Sequence, residues 1–207
     1  MFDPILTERL VIRAPEQSDA EDLWARRNDE QVAEYQAWTL PFPRERAEEI
    51  VAGSVELGGP TDDEWWMATV VEVATGLTVG DVVVRLSWEG RTAEIGYTFA
   101  SEHWGKGYAG EAVGALVAWL FEHLGVNRVW GMTHPDNHPS NMVLERVGML
   151  FEGQTRGSYW VGDENSDDWL YGMLRSDWEA WRDRPRQPPN DVRLDEIDPV
   201  SALTVYK

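Results

Sequence analysis

The chain of 207 residues contains no cysteine. That excludes disulfides, thiol nucleophiles and thiolate metal sites, so any chemistry must rest on oxygen and nitrogen groups. Lysine is nearly missing too: Lys106 is internal, and the only other, Lys207, is the last residue. Positive charge is scarce overall, with 18 Lys and Arg against 37 Asp and Glu and a net charge of -19. Such a surface repels nucleic-acid backbones and anionic membranes, so neither is expected as a partner, and it complements a cationic one. A solvated acidic surface also serves solubility alone. No apolar run approaches the roughly 18 residues of a membrane span. The opening MFDPILTERL lacks the basic-then-apolar layout of a signal peptide. A cytoplasmic location is therefore expected, and the length suits one domain with a full core.

What is present reads as alternating elements. ERLVIRA, from Glu8 to Ala14, alternates as a first strand. SDAEDLWARRNDEQVAEY begins with the capping residues Ser18 and Asp19 and sets Ala20, Leu23 and Trp24 on one helical face, continuing to Arg27. PRERAEEIVAGSVEL, with Pro43 in the first turn, predicts a second helix. Two β-branched runs, WWMATVVEV and TVGDVVVRLSW, flank the turn ATGL and predict an antiparallel hairpin, with TAEIGYTFA as a third strand. A helix from Ala109 to Leu124, the strand RVWGMTH and a short helix PSNMVLERVG ended by Gly148 come next. MLFEGQTRGSYWV and DWLYGMLR close the body as strands around an acidic loop, DENSDD. This order predicts an α/β fold over residues 1–182, a mixed, twisted sheet with helices on both faces. Residues 183–207, four of them proline, predict an extended or partly disordered C-terminal extension.

One stretch stands apart. WGKGYAGEA, from Trp104 to Ala112, places three glycines and Lys106 between a strand and an apolar helix. Backbone N–H groups at a helix start converge on an anion, glycines let the backbone approach it, and a lysine adds charge. A phosphate suits that setting, and a plain turn also explains the glycines. The spacing is not that of a Walker A loop, nor of a dinucleotide fingerprint.

The stretch AEIGYTFASEHWGKGYAGEAVGALVAWLF, followed by NRVWGMTHPDNHPSNMVLERVGMLFEG, resembles the GNAT acetyltransferase superfamily, in particular the branch of ribosomal-protein alanine N-acetyltransferases. The likeness runs from about Leu6 to Arg175 in element order and is sharpest from Glu94 to Gly153. In that family a Q/R-x-x-G-x-G/A loop holds the pyrophosphate of acetyl-CoA. Here it falls on Trp104, Gly105, Lys106, Gly107, Tyr108 and Ala109, with Trp104 where many members carry glutamine or arginine. A second motif, N-x-x-S-x-x-x-x-E-x-x-G, falls on Asn137, Ser140, Glu145 and Gly148; in the family this segment faces the pantetheine arm and thioester.

The resemblance implies an acyltransferase that moves an acetyl group from acetyl-CoA to a primary amine by direct attack in a ternary complex. A protein N-terminus, an aminoglycoside or a polyamine would serve as acceptor. At neutral pH about one alkylamine in 10³ is unprotonated if its pKa is near ~10.4, so a base is useful. Glu94 stands where the resembled branch carries a glutamate acting through water. Ser140 is the candidate to protonate the departing thiolate, or else a helix cap, with Tyr159 and Tyr171 as alternatives. Backbone N–H groups over Tyr97, Thr98 and Phe99 would polarise the carbonyl if that strand splays from its neighbour.

His134, Asp136 and His138 are separated by Pro135, and Pro139 follows, so no metal site is expected. Among the 12 tryptophans, Trp65, Trp66, Trp88, Trp119 and Trp130 read as core, and Trp38 and Trp160 as substrate wall. A homodimer is compatible with the sequence. The rival readings are a succinyl-CoA or other acyl-CoA transferase, which needs a cation near the acyl terminus, and a catalytically idle CoA-sensing module.

Overall fold

The computed structural model describes residues 2–184, so most of the predicted C-terminal extension lies outside the described residues. The elements in chain order are β1 (Ile5–Leu6), β2 (Leu10–Arg13), α1 (Asp19–Arg27), α2 (Glu30–Ala33), α3 (Arg44–Leu57), β3 (Trp66–Glu72), β4 (Thr78–Ser87), β5 (Thr92–Phe99), α4 (Tyr108–Trp119), β6 (Arg128–Thr133), α5 (His138–Arg146), β7 (Leu150–Val161), β8 (Glu164–Leu174) and α6 (Arg175–Arg182). The strands form one sheet in the order β1-β2-β3-β4-β5-β6-β8-β7. Every neighbouring pair is antiparallel except β5 and β6, which α4 links as a parallel crossover. Among the described residues no helix is long and apolar enough to cross a membrane.

The predicted mixed sheet, with helices on both faces, is what the chain adopts. On one face α1 and α3 set Leu23, Ala47 and Val51 against Met67, with Val83 packed at the margin. On the other, α4 lays Ala112, Val113, Leu116 and Val117 over the inward residues of β2 to β6, and α5 and α6 add Leu144 and Trp178. Local chemistry sets the ends. Gly58 adopts φ 67° to close α3, and Gly107 adopts φ 79° to open α4, conformations that cost a side chain dearly.

Several expectations need correction. Pro43 precedes α3 as its N-cap instead of lying in its first turn. Ser18 makes no side-chain cap. Asp19 instead accepts two bonds from the Arg13 guanidinium, at 2.7 and 2.8 Å, and one from Thr69. The acidic DENSDD is not a loop: from Glu164 onward it is the start of β8, and it escapes notice because β7, its edge partner, is exposed for most of its length. Helix α6 was not read at all. Of the tryptophans taken as core, Trp66 is fully buried, whereas Trp65 is 44% and Trp88 80% exposed, the latter in a turn with φ 57°.

Gly148, which follows α5, sits at φ 90°, and a Cβ there would stand 2.5 Å from Cδ1 of Trp181. Replacing it by alanine combines a left-handed penalty of about 1–2 kcal/mol with overpacking of about 1–3 kcal/mol. Urea unfolding of Gly148→Ala should show a loss of about 2–5 kcal/mol; a loss below about 1 kcal/mol would mean that α6 is not seated on this glycine.

Candidate acyl-transfer site

The site begins where two strands separate. β5 and β6 pair at Thr92 with Arg128, Ala93 with Val129 and Glu94 with Trp130, and the ladder then ends although both strands continue. At the fork Gly131 lets the Ile95 carbonyl approach to 3.0 Å of where a Cβ would stand. β5 stays paired with β4 through Phe99. Ala100 N–H donates to the Val79 carbonyl on β4 at 3.0 Å, so strand alternation turns the N–H groups of Tyr97 and Phe99 the other way, into the opening. Thr98 faces β4 instead: its carbonyl lies 2.6 Å from the Cβ that Gly80 lacks. Of the three amides expected as donors, those of Tyr97 and Phe99 point into the opening and that of Thr98 points to β4.

Beyond β5 the chain makes one 3₁₀ turn at Ser101–His103 and enters the glycine loop. Trp104 is half exposed and its indole N–H donates to the Phe99 carbonyl at 2.8 Å, which ties the loop to the fork. Gly105 has φ 73° with nothing within 4 Å of a would-be Cβ, so the loop backbone borders open space. Lys106 Nζ lies 3.2 Å from His103 Nδ1. Tyr108, the first residue of α4, is buried with its hydroxyl on Glu72, and Ala109 is half-buried behind it. The loop thus has the glycine conformations, open frontage and helix start that a diphosphate requires.

Arg9 was missed by the sequence reading. It donates from Nη1 to the Lys106 carbonyl at 2.8 Å and from Nε to Glu111 Oε2 at 2.7 Å, while its backbone N–H and the Thr7 hydroxyl hold Glu111 Oε1 at 2.8 and 2.6 Å. Arg9 therefore clamps the loop to the first turn of α4. The pairing spans 102 positions in sequence, and no local signal marks it.

Across the fork stands α5. Asn137 is its N-cap, the side chain accepting from Ser140 N–H at 3.2 Å, so Ser140 is not the cap. Its Oγ lies 2.7 Å from the Tyr97 hydroxyl, which also donates to the Ser140 carbonyl at 3.0 Å. Burial raises the Tyr97 phenol well above its ordinary pKa, more than the bond to Ser140 lowers it, so it stays protonated. Tyr171, one alternative acid, is sealed in the core with its hydroxyl on Glu145.

The opposite sheet face opens on a cavity of about 1020 Å³ between the α1–α3 layer and the β7–β8 hairpin. Glu94 lines it and is 8% exposed. Arg85 donates to its Oε2 through Nε at 3.1 Å and through Nη2, and Oε1 takes no hydrogen bond among the described residues. Trp38 lines the cavity; Trp160 does not, being 62% exposed, and Tyr159 and Val161 on either side of it line it instead. Acids dominate the lining, Glu34, Glu49, Glu64, Glu164 and Asp168 among them, against Arg27 and Arg46. Burial raises the Asp168 pKa, opposed by the Ser158 hydroxyl bonded to it at 2.8 Å.

A description of known families, the Acetyltransferase (GNAT) domain, matches residues 9–150. The chain belongs to the GNAT acetyltransferase family. Among curated proteins it is 27% identical over 180 residues to the uncharacterized N-acetyltransferase p20 of Bacillus licheniformis, covering 86% of this chain and 99% of that protein. Over 84 residues it is 31% identical to the ribosomal-protein-serine acetyltransferase of Escherichia coli, covering 41% of this chain and 47% of that one. Among solved structures a GNAT-family acetyltransferase from Bacillus anthracis superposes with a TM-score of 0.74 at 28% identity, over 84% of this chain and 99% of that one. This GNAT chain is thus an acyltransferase, and the family's donor is acetyl-CoA.

The clamp gives a test with a defined sign. Burial of Glu111 works to raise its pKa, but the bonds from Thr7 and from Arg9 outweigh it and hold the pKa below the ordinary carboxylate value. A lowered folded pKa means that this carboxylate's contribution is complete above its unfolded value of ~4.3 and fades as pH falls through the folded one. Arg9→Ala should weaken acetyl-CoA binding by about tenfold in calorimetry, and Glu111→Gln should flatten the loss of stability below about pH 4. Wild-type affinity in Arg9→Ala would separate the clamp from donor binding.

Proposed function

We propose that this acyltransferase acetylates a cationic primary amine, in the cytoplasm, by direct attack within a ternary complex. The observation that carries the reading is the fork itself: two free amides and the Tyr97–Ser140 hydroxyl pair lie on one side, and the free Oε1 of Glu94 faces the acidic cavity on the other.

Acetyl-CoA supplies the acyl group as a thioester. The loop from Trp104 to Ala109, held by Arg9, grips the diphosphate through its backbone, and Asn137 with α5 borders the pantetheine arm. The Tyr97 and Phe99 N–H groups are fixed donors for carbonyl oxygens of the acylated pantetheine arm, one oxygen each, and because β4 holds their strand they need no rearrangement. Tyr97, its own proton on the Ser140 carbonyl, stands beside Ser140 Oγ, whose proton is the one delivered to the leaving sulfur. Glu94 receives the amine proton through water; Arg85 fixes the carboxylate by one oxygen and leaves the other to accept. The acids of the cavity concentrate ammonium groups at its mouth, and the faces of Tyr35, Trp38 and Tyr159 line the passage.

An acceptor screen followed by mass spectrometry, with acetyl-CoA and a panel of polyamines, aminoglycosides and peptides with basic N-termini, tests the assignment. Turnover on at least one cationic amine is expected. In Glu94→Gln kcat should fall about 10²-fold or more with CoA affinity intact, and in Ser140→Ala by about tenfold, more for thioesters with poorer leaving groups. Binding of CoA with no turnover on any amine would favour the sensing module, and a wild-type rate in Glu94→Gln would remove the base.

A further inference from the structure

Beneath the cavity, Asp81 in the middle of β4 is 1% exposed and meets two arginines from the end of α1. Arg26 bonds its Oδ2 twice, from Nε at 3.1 Å and Nη2 at 2.7 Å, and both side chains are sealed from water. That pair is already neutral. Arg27 adds a second guanidinium, Nη2 to Oδ1 at 3.3 Å, with a side chain 12% exposed. The trio therefore holds one positive charge more than its carboxylate balances. Burial, opposed by Asp81 and abetted by Arg26, lowers the Arg27 pKa, yet a guanidinium keeps its proton in proteins.

Two details fix this charge in place. The Arg27 guanidinium lies 3.9 Å over the Trp38 ring, and the Trp38 indole N–H donates to the Arg27 carbonyl at 2.9 Å, so the side chain is held where it is. Its Nε is buried and has no hydrogen-bond partner among the described residues. A buried, rigid cation that is one acceptor short is costly unless something meets it. Arg27 lines the cavity, and its carboxylate, Asp81, pairs in register with Thr98, the residue next to Tyr97. Arg27 and the fork residues Ile95, Tyr97 and Thr98 thus line one cavity.

We propose that Arg27 is the anion subsite of the cavity and that one of the two reactants brings a carboxylate to it. The proposal rests on the acyl-transfer reading for the identity of those reactants. The same chemistry has two sources: the far end of a dicarboxylic acyl chain on the donor, or a carboxylate carried by the amine acceptor alongside its ammonium. The second would place the ammonium towards Glu94 and the surrounding acids, with the carboxylate towards Arg27.

Calorimetry on the full chain separates the sources without needing turnover. One arm compares succinyl-CoA with acetyl-CoA; the other compares 4-aminobutyrate with butylamine in the presence of CoA. In one arm the carboxylate-bearing probe should bind at least about tenfold tighter than its neutral counterpart, as expected of a charge-assisted bond. Arg27→Met should reduce that preference to about twofold or less, while its melting temperature holds or rises because the Arg26–Asp81 pair remains neutral. Preference in the first arm assigns the carboxylate to the donor, and in the second to the acceptor. The wild-type comparison alone overturns the subsite if neither arm shows a preference. A preference that survives Arg27→Met overturns it too, as does a variant that loses stability with its preference unchanged. Selective binding without acyl transfer to any amine would instead contradict the proposed function and leave the subsite standing.

Discussion

Between β5 and β6 three register pairs form and then none, although each strand runs on. The proposed reaction rests on that interruption. A continuous parallel ladder would bond the Tyr97 and Phe99 amides to β6 and bring the strands within hydrogen-bonding distance. Parting them leaves polar backbone that needs a partner, which the fold supplies only in part: the Phe99 carbonyl is met by the Trp104 indole, and Tyr97 reaches over to Ser140 through its side chain. The remaining amides are donors held in place by β4, the kind of fixed dipole that stabilises developing charge without reorganising.

In the proposed reaction the elements around the fork hold each reactant to its own side. The glycine loop and α4 form the proposed donor side, where Arg9, between the first two strands, braces the loop at Lys106 against Glu111 of α4. The α1–α3 layer and the β7–β8 hairpin form the proposed acceptor side, where acids and aromatic faces prevail over a buried arginine pair at the sheet. Glu94 and Tyr97 are three residues apart on one strand, so their side chains lie on opposite faces of the sheet and serve opposite sides of the reaction. In the proposed reaction one strand therefore carries both the proton acceptor for the amine and the hydroxyl partner of the proton donor to sulfur.

How much of this could be read from the chain depended on whether the cause was local. The glycine loop was legible because Gly105 and Gly107 need left-handed backbone just ahead of an apolar helix. The β3–β4 hairpin was legible from β-branched runs around a turn, and Ser140 from its place in a spaced motif. Contacts between distant segments were silent: neither Arg9 on Lys106 nor Arg85 on Glu94 leaves a mark on periodicity or composition. Where a strand is wet on both faces, as β7 is, alternation carries no apolar code, and the start of its partner read as an acidic loop. Trp160 failed for a related reason, since a one-residue step along a strand moves a side chain to the other face. Arg27 looked like an ordinary helix-end residue; only the sheet beneath it shows that its carboxylate is already taken by Arg26.

The central claim is that the parted strand offers its amides to the donor. Amide hydrogen exchange by NMR, with and without saturating acetyl-CoA, measures this residue by residue. Thr98 and Ala100, bonded into the β4 ladder, should exchange slowly in both states. The Tyr97 and Phe99 amides should exchange fast alone and slow markedly with acetyl-CoA, together with those of Gly105 and Gly107. If acetyl-CoA binds while Tyr97 and Phe99 exchange as before, the fork is not where the thioester lies.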